Sequence, residues 1–180
     1  EKRGLYQLDG RDPAHPRATV TLTYRNTNRS ISWRYTRYRD YVRIYVPEGS
    51  RLIGSSGAML NDKTKTGGRV VEGVVDVMHD LGKTVFGAFW AVEPGETRTL
   101  SFTYELPPSV MTSLVSDKYT LLVQRQPGSL SALTLDLNFG KNILSAIPAE
   151  QKHFFGDARY QETQPVQKDI LTEIELVPTQ

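Results

Sequence analysis

Hydrophobic and polar residues alternate with a period of two along several short segments of the chain, and no long segment follows the helical period. Successive side chains of an extended strand point to opposite faces, so this alternation is typical of a strand that is buried on one side. The clearest case follows the Pro94-Gly95 turn and places four apolar side chains on one face, namely Leu100, Phe102, Tyr104 and Leu106. We predict a half-buried strand at this position.

The same alternation predicts strands elsewhere in the chain, at 18–24, 38–46, 119–126, 133–139 and 168–177. Residues 69–78 and 83–92 are predicted to form a β-hairpin with Trp90 in the core, and a turn is predicted at Pro127-Gly128. Together these segments give about eight or nine strands joined mostly by short turns. Since parallel strands need long crossovers, we expect an all-β fold, an antiparallel Greek-key β-sandwich of the immunoglobulin-like type.

The length of the chain and two irregular stretches define its domain organisation. A chain of 180 residues suits one hydrophobic core, so we expect a single sandwich domain over 1–180. Residues 54–69 concentrate Gly, Ser, Asn, Asp and Lys, which predicts an exposed loop excursion. Residues 140–167 show no clear period, so we expect a long irregular connection there, with a short helix at 149–153.

Composition restricts the chemistry and the location of the chain. It contains no cysteine, which excludes disulfides, thiolate metal sites and cysteine nucleophiles, and which favours an extracytoplasmic location. The net charge of +2 is unevenly distributed, because residues 1–45 hold ten Lys and Arg against four Asp and Glu, whereas residues 46–180 hold twelve against sixteen. This asymmetry predicts a positive surface that is available to an acidic partner.

An ordered set of segments carries a resemblance to a known family. The segments are YRDYVRIYVPEGS at 38–50, GKTVFG at 82–87, PGET at 94–97, YELP at 104–107 and YTLLVQRQPG at 119–128. In this order, within residues 17–177, they resemble the C-terminal portion of a bacterial family of large membrane-anchored proteins known only as a domain of unknown function. The resemblance implies an extracytoplasmic segment at the cell surface, with the membrane anchor upstream, and it implies no known reaction.

No catalytic or metal-binding motif has the spacing that its chemistry requires. The segment Gly82-Lys83-Thr84 lacks the first glycine of a phosphate loop, because Val77 occupies that position. The three histidines are far apart in the sequence, and no Gly-x-Ser-x-Gly elbow is present. We therefore assign no catalytic residue, metal ligand or cofactor, and we expect the chain not to be an enzyme. Its modest net charge also disfavours nucleic acid as a partner.

Three residues in or near predicted strands form a candidate trio for an internal isopeptide bond, namely Lys83, Asn138 and Glu72. This cross-link needs a buried lysine beside an asparagine and a catalytic acid, and buried lysine is rare. Formation of the bond would expel ammonia, so the intact mass of the protein tests this hypothesis.

An aromatic and arginine ladder is the most distinctive surface that the sequence predicts. Seven residues share one phase of the alternation: Trp33, Tyr35, Arg37, Arg39, Tyr41, Arg43 and Tyr45. Planar guanidinium groups and amphipathic rings suit sugars, carboxylates and phosphates, so this face is a candidate binding site for a carbohydrate or an anionic cell-wall polymer. The alternative is a cross-strand stack that stabilises the sheet and binds nothing.

Three functional hypotheses follow from these patterns. The first is a non-catalytic extracytoplasmic module of a bacterial cell-surface protein, acting as a spacer or a protein-interaction domain. The second is a carbohydrate-binding or anionic-polymer-binding module that uses the face from Trp33 to Tyr45, and the third is an accessory domain of an upstream enzyme. The expected partners are thus a cell-wall polymer or another surface protein, and no membrane contact is expected within 1–180.

Overall fold

The alternating segments form strands because their apolar faces meet in a shared buried layer. The computed structural model describes residues 1–126, 131–150 and 152–178, and the fold is all-β and sandwich-like, as the alternation predicts. A short helix, α1 (Pro108–Val115), and a 3-10 turn at Lys152–Phe154 accompany the strands. The described residues contain twelve strands: β1 (Lys2–Asp9), β2 (Arg17–Arg25), β3 (Tyr38–Pro47), β4 (Arg51–Ser56), β5 (Asp76–Asp80), β6 (Lys83–Val92), β7 (Thr97–Glu105), β8 (Lys118–Val123), β9 (Ser131–Asn138), β10 (Ile143–Ile147), β11 (Arg159–Pro165) and β12 (Ile170–Leu176).

The strands form one large sheet and two small sheets. The large sheet has six strands in the order β11-β9-β1-β2-β7-β4, and the small sheets have the orders β3-β6-β5 and β10-β12-β8. Antiparallel pairing dominates, as expected. The neighbours β1 and β9 are parallel, however, in a register that pairs Lys2 with Ser131 and Asp9 with Asn138.

Aromatic contacts join the large sheet to both small sheets. The ring of Phe86 on β6 packs against Phe102 and Tyr104 on β7, with ring centroids 6.4 and 5.5 Å apart. At the other end, the hydroxyl groups of Tyr6 on β1 and Tyr119 on β8 form a buried hydrogen bond of 2.8 Å. The two small sheets therefore share one hydrophobic core with the large sheet.

Several boundaries differ from those that the sequence predicts. The count of strands is higher than expected. The strands β4, β10 and β11 carry too few buried residues to show alternation, whereas β1 buries Tyr6 and Leu8 on one phase but is not among the predicted strands. The expected irregular connection at 140–167 is wrong, since it contains β10 and β11, and the helix expected at 149–153 is replaced by the 3-10 turn. On β11, Tyr160 is the only fully buried side chain, so that strand reads as polar.

Two further expectations have a mixed outcome. The exposed excursion expected at 54–69 begins inside β4, because that strand extends to Ser56. Within the excursion, Met59 forms an isolated bridge with Glu72, which follows the excursion in the sequence. The predicted turn at Pro127-Gly128 lies outside the described residues. The helix α1 follows Pro107, where the sequence predicts only the end of a strand.

The predicted hairpin is present as β5 and β6, although β5 is shorter than the predicted segment. Its register pairs Asp80 with Lys83, which leaves Leu81 and Gly82 as a two-residue turn. Both turn residues have positive φ, 52° and 65°, as the turn type that matches strand twist requires. Trp90 on β6 is fully buried, as predicted.

Candidate functional site

The residues of the predicted ladder lie on two different surfaces. Trp33 and Tyr35 belong to the irregular segment 26–37 between β2 and β3, where strand alternation does not apply. The second surface lies on β3, where the predicted residues are Arg39, Tyr41, Arg43 and Tyr45. We call residues 31–35 the Trp33 turn, and we call the side of β3-β6-β5 that carries Tyr41 and Tyr45 the tyrosine face.

The Trp33 turn is closed by three hydrogen bonds to the backbone amide and the hydroxyl group of Ser32. The backbone amide of Ser32 donates to the carbonyl of Tyr35 at 2.7 Å, and the Ser32 hydroxyl accepts from the amides of Tyr35 and Arg34 at 3.1 and 3.3 Å. Trp33 occupies the tip, where its side chain is 95 % exposed, and Ile31 and Tyr35 beside it are 55 % and 49 % exposed. A folded chain rarely presents three large apolar side chains together in water, so this turn is a candidate contact surface.

Buried polar groups hold the base of the segment 26–37. The amide group of Asn26 donates to the carbonyl of Val92 at 3.2 Å and to the carbonyl of Thr36 at 3.4 Å, which ties both ends of the segment to the end of β6. Nearby, Nε of Arg37 donates to both carboxylate oxygens of Glu93, at 3.0 and 3.1 Å. Because these groups are largely removed from water, they fix the position from which the Trp33 turn projects.

The stretch of sequence that carries the Trp33 turn is cationic. No Asp or Glu occurs between residues 13 and 39. Arg25, Arg29 and Arg34 are exposed, and they form no ion pair with any residue that the structure describes. Arg37, by contrast, is paired with Glu93. Three exposed guanidinium groups in the same stretch of sequence as the apolar tip are thus available to an external anion.

On the tyrosine face, alternate residues of β3 reach across the central strand β6 to a carboxylate on the far side. Arg39 donates to Asp62 at 2.6 Å, and Asp62 is buried and accepts further hydrogen bonds from Thr64. These donors hold the pKa of Asp62 well below its usual range. The contact anchors the loop after β4 to the outside of the small sheet.

The two tyrosines of this face follow the same geometry. The hydroxyl of Tyr41 donates to Asp76 in a short hydrogen bond, and the hydroxyl of Tyr45 donates to Asp80 at 3.0 Å. The hydrogen bond to Asp76 raises the pKa of Tyr41, so that hydroxyl remains a donor at neutral pH. Both rings therefore lie across the sheet, where they are 40 % and 46 % exposed.

Gly87 on β6 makes room for the Tyr41 ring. A Cβ atom at this position would lie 2.5 Å from the Tyr41 hydroxyl oxygen and 2.9 Å from its Cε1, so the ring rests directly on the glycine backbone. Two residues along β6, Val85 belongs to the same face but is only 1 % exposed, because neighbouring side chains cover it. The tyrosine face is thus a closed layer of side chains, as a cross-strand stack requires.

Arg43 lies between the two tyrosines on β3 and has a different environment from Arg39. Its guanidinium carbon is 5.6 Å from the centroid of the Tyr41 ring, which is a cation–π distance. Within the described part of the chain it forms no ion pair. Its donors are therefore available to a ligand.

The isopeptide trio is not brought together in a buried site. Lys83 is exposed at the start of β6, in the small sheet, whereas Asn138 ends β9 in the large sheet. Glu72 is exposed beside the bridge to Met59. The buried environment that this cross-link needs is absent at Lys83 and Glu72, so this expectation is wrong.

Two residues that shape these surfaces are missing from the sequence predictions. Asn26 directly follows β2 and is 8 % exposed, and an asparagine at the end of a predicted strand is a signal for a structured turn. Asp62 lies in the predicted loop at 54–69, and no sequence signal connects it with Arg39. In the described residues, no group of three His, Asp or Glu side chains could hold a metal ion, and no helix is long and apolar enough to span a membrane.

Comparisons with known proteins give low similarity only. No family model and no curated protein matches the chain. Among solved structures, a two-domain M1 zinc metallopeptidase bound to L-tryptophan is similar at 10 % identity and a TM-score of 0.35, and the M1 zinc metallopeptidase from Deinococcus radiodurans at 11 % and 0.34. Each alignment covers 96 % of this chain and 41 % of the other, so the chain spans less than half the length of these enzymes. Similarity at this level supports no statement about activity.

Proposed function

We propose that this chain is a non-catalytic, extracytoplasmic interaction module of a bacterial cell-surface protein, and that it docks onto an acidic protein partner through the Trp33 turn. The observation that carries this proposal is a tryptophan residue, 95 % exposed, at the tip of a hydrogen-bonded turn, in a stretch of sequence with three exposed arginines that form no ion pair with any described residue. The resemblance to membrane-anchored bacterial proteins and the lack of cysteine support the extracytoplasmic location.

The composition of the Trp33 turn favours a protein over an anionic polymer as the partner. Trp, Tyr and Arg are the residues that dominate binding energy at protein interfaces, where they fill apolar pockets and pair with carboxylates. A polymer of phosphates or carboxylates would neutralise Arg29 and Arg34, but it offers no apolar pocket for Ile31 and Trp33. An acidic protein surface offers both, and it also explains why the segment carries no carboxylate of its own.

The hypotheses of a spacer and of an accessory domain receive less support from these contacts. A spacer gains nothing from exposing Ile31, Trp33 and Tyr35, since exposed apolar clusters favour aggregation. The accessory-domain hypothesis stays a prediction, because no contact on the two surfaces indicates an adjoining enzyme.

Site-specific cross-linking in the native bacterium tests the proposal. A photo-reactive amino acid replaces Trp33 in one variant and Leu81 in the control, because Leu81 is 85 % exposed on the β5–β6 turn. We expect a protein adduct at position 33 and none at position 81, and we expect the adduct partner to be acidic. Equal adducts at both positions, or none at 33, would contradict the proposal.

Affinity measurements with the purified partner then separate the apolar and ionic contributions. Trp33→Ala should weaken binding by about 30-fold, the equivalent of a hot spot of roughly 2 kcal/mol. Arg34→Glu should weaken partner binding, and the loss of affinity should be larger at low salt than at high salt. Arg69→Glu, the same change at another exposed arginine, should have little effect on the affinity. Adsorption to vesicles of anionic lipid without any protein adduct would replace the protein partner by a membrane surface and overturn the proposal.

A further inference from the structure

We infer that the tyrosine face is a second binding site, independent of the Trp33 turn, and that its ligand is a neutral carbohydrate. The site consists of Tyr41, Arg43 and Tyr45 on β3, with Asp76 and Asp80 on β5 at its far edge. It shares no residue with the Trp33 turn, and it lies on a regular sheet whose side chains are held in place before any ligand binds.

The exposed rings provide the apolar part of the site. Hydrogen bonds to Asp76 and Asp80 hold the hydroxyl ends of both tyrosines, so the rings lie across the sheet with 40 % and 46 % of each residue exposed. Fixed, flat, amphipathic rings suit the apolar C–H faces of sugar rings and cost little conformational entropy on binding. Tyr41 and Tyr45 are four positions apart on the strand, about 13 Å at the usual rise, so an oligosaccharide rather than one sugar would contact both.

The charges of the face favour a neutral ligand over a polyanion. Arg39 is already neutralised by Asp62. The remaining cations are Arg43 and Lys83, and they stand beside the two carboxylates of Asp76 and Asp80. A phosphate-rich or carboxylate-rich polymer would meet these two carboxylates at the edge of the site, which is unfavourable.

The same polar groups match the hydroxyl groups of a sugar. A hydroxyl both donates and accepts hydrogen bonds, and the site offers guanidinium donors from Arg43 and carboxylate acceptors from Asp76 and Asp80. Each carboxylate uses one oxygen for a tyrosine and has lone pairs left for a ligand. The cation–π contact holds the Arg43 guanidinium 5.6 Å from the centroid of the Tyr41 ring.

Titration of the isotope-labelled chain by NMR tests this inference, with the neutral tetrasaccharide of N-acetylglucosamine and with inorganic polyphosphate as probes. We expect chemical-shift changes on β3 and β5 with the tetrasaccharide and none there with polyphosphate. Tyr45→Ala should weaken tetrasaccharide binding at least tenfold, whereas Tyr41→Phe, which keeps the ring and loses the hydrogen bond to Asp76, should weaken it less than threefold.

Controls separate this inference from the proposed function. Trp33→Ala should leave tetrasaccharide binding unchanged, and Tyr45→Ala should leave binding of the protein partner unchanged. If the tetrasaccharide causes no shifts on β3 and β5 at millimolar concentration, or if Tyr45→Ala binds it as well as the natural chain does, the inference is wrong. Shifts with polyphosphate alone would assign the face to an anionic ligand and would equally overturn it.

Discussion

Asn26 offers the sharpest test of how the Trp33 turn is held, because one atom exchange reverses its hydrogen bonding. Its amide group donates to the carbonyls of Val92 and Thr36, and its carbonyl oxygen accepts from Asn28 at 3.1 Å. Asn26→Asp keeps the shape of the side chain but turns the donor into a second acceptor that faces two carbonyl oxygens. Asn26→Ala removes the side chain beyond Cβ and takes this donor away from the same carbonyls.

The expected cost follows from these contacts. The alanine variant loses the buried hydrogen bond to Val92, the longer one to Thr36 and the two that Asn28 donates, and we expect a cost of about 2 kcal/mol. The aspartate variant adds a buried negative charge beside carbonyl oxygens, so we expect about 3 kcal/mol at pH 7. For a chain of this length, that corresponds to a decrease in Tm of roughly 6–12 °C.

The pH dependence distinguishes this mechanism from a simple packing defect. Burial beside two carbonyls raises the pKa of the new carboxyl group at position 26, so it becomes protonated as the pH falls and can again donate to Val92. The difference in unfolding free energy between Asn26→Asp and the natural chain should therefore shrink between pH 7 and pH 4, whereas the difference for Asn26→Ala should not.

Urea unfolding monitored by the fluorescence of the buried Trp90 measures these free energies, and iodide quenching reports the exposed Trp33 separately. Asn142→Asp is the matched control, since Asn142 is exposed and the same change should cost less than 0.5 kcal/mol. If Asn26→Asp is no less stable than this control at pH 7, or if lower pH brings no recovery, Asn26 does not hold the segment as described.

Three further predictions concern the core and the tyrosine face. Tyr6→Phe should lower the unfolding free energy, measured with urea, by about 1–3 kcal/mol, because it leaves the buried Tyr119 hydroxyl without its 2.8 Å partner. The double variant Tyr6→Phe with Tyr119→Phe should then cost less than the sum of the two single changes, and additive costs would refute the coupling. Burial raises the pKa of Tyr6 above its ordinary value of 10.0, so this group should leave the unfolding free energy unchanged below pH 10 and lower it above pH 10. The unfolding free energy should fall with pH less steeply in Tyr6→Phe than in the natural chain, and equal slopes in the two proteins would contradict this account. Gly87→Ala should displace the Tyr41 ring, so an ultraviolet titration should show the pKa of Tyr41 returning toward its ordinary value. The unfolding free energy should change by no more than about 1 kcal/mol, since alanine suits a strand better than glycine. An unchanged titration would show that the ring does not rest on Gly87.

Alternation predicts strands where one face is buried, and it fails where a strand contributes little to the core. The segment Thr97–Glu105 buries every second residue, so its strand is readable from the sequence. On the edge strand Arg159–Pro165, Tyr160 alone is fully buried, and most of the other residues are polar. That strand is defined by its backbone pairing with β9, and the hydrophobic pattern of a sequence does not show which strands pair.

The candidate surfaces depend even more on contacts that are remote in sequence. The ladder predicted from Trp33 to Tyr45 assumes one continuous strand, but β3 begins at Tyr38, so its first members belong to a turn. Six of the seven ladder residues are exposed, whereas Arg37 is largely buried against Glu93, and their role as a binding face stays a prediction. The partners were not identified, since the pairing of Arg39 with Asp62 requires the loop after β4 to fold back onto the small sheet.

The buried polar groups at the base of the segment 26–37 explain how a single exposed turn could bind tightly. Ordering a flexible loop on binding costs free energy for each immobilised residue, and that cost is subtracted from the affinity of the contact. Here Asn26, Arg37 and Ser32 form their hydrogen bonds within the chain, so that ordering is completed during folding. The backbone beneath Trp33 is then held before binding, so the main ordering cost that is left is the rotamer freedom of its exposed side chain. Loosening the base by Asn26→Ala should consequently weaken binding of the proposed partner, although Asn26 is buried below the Trp33 turn.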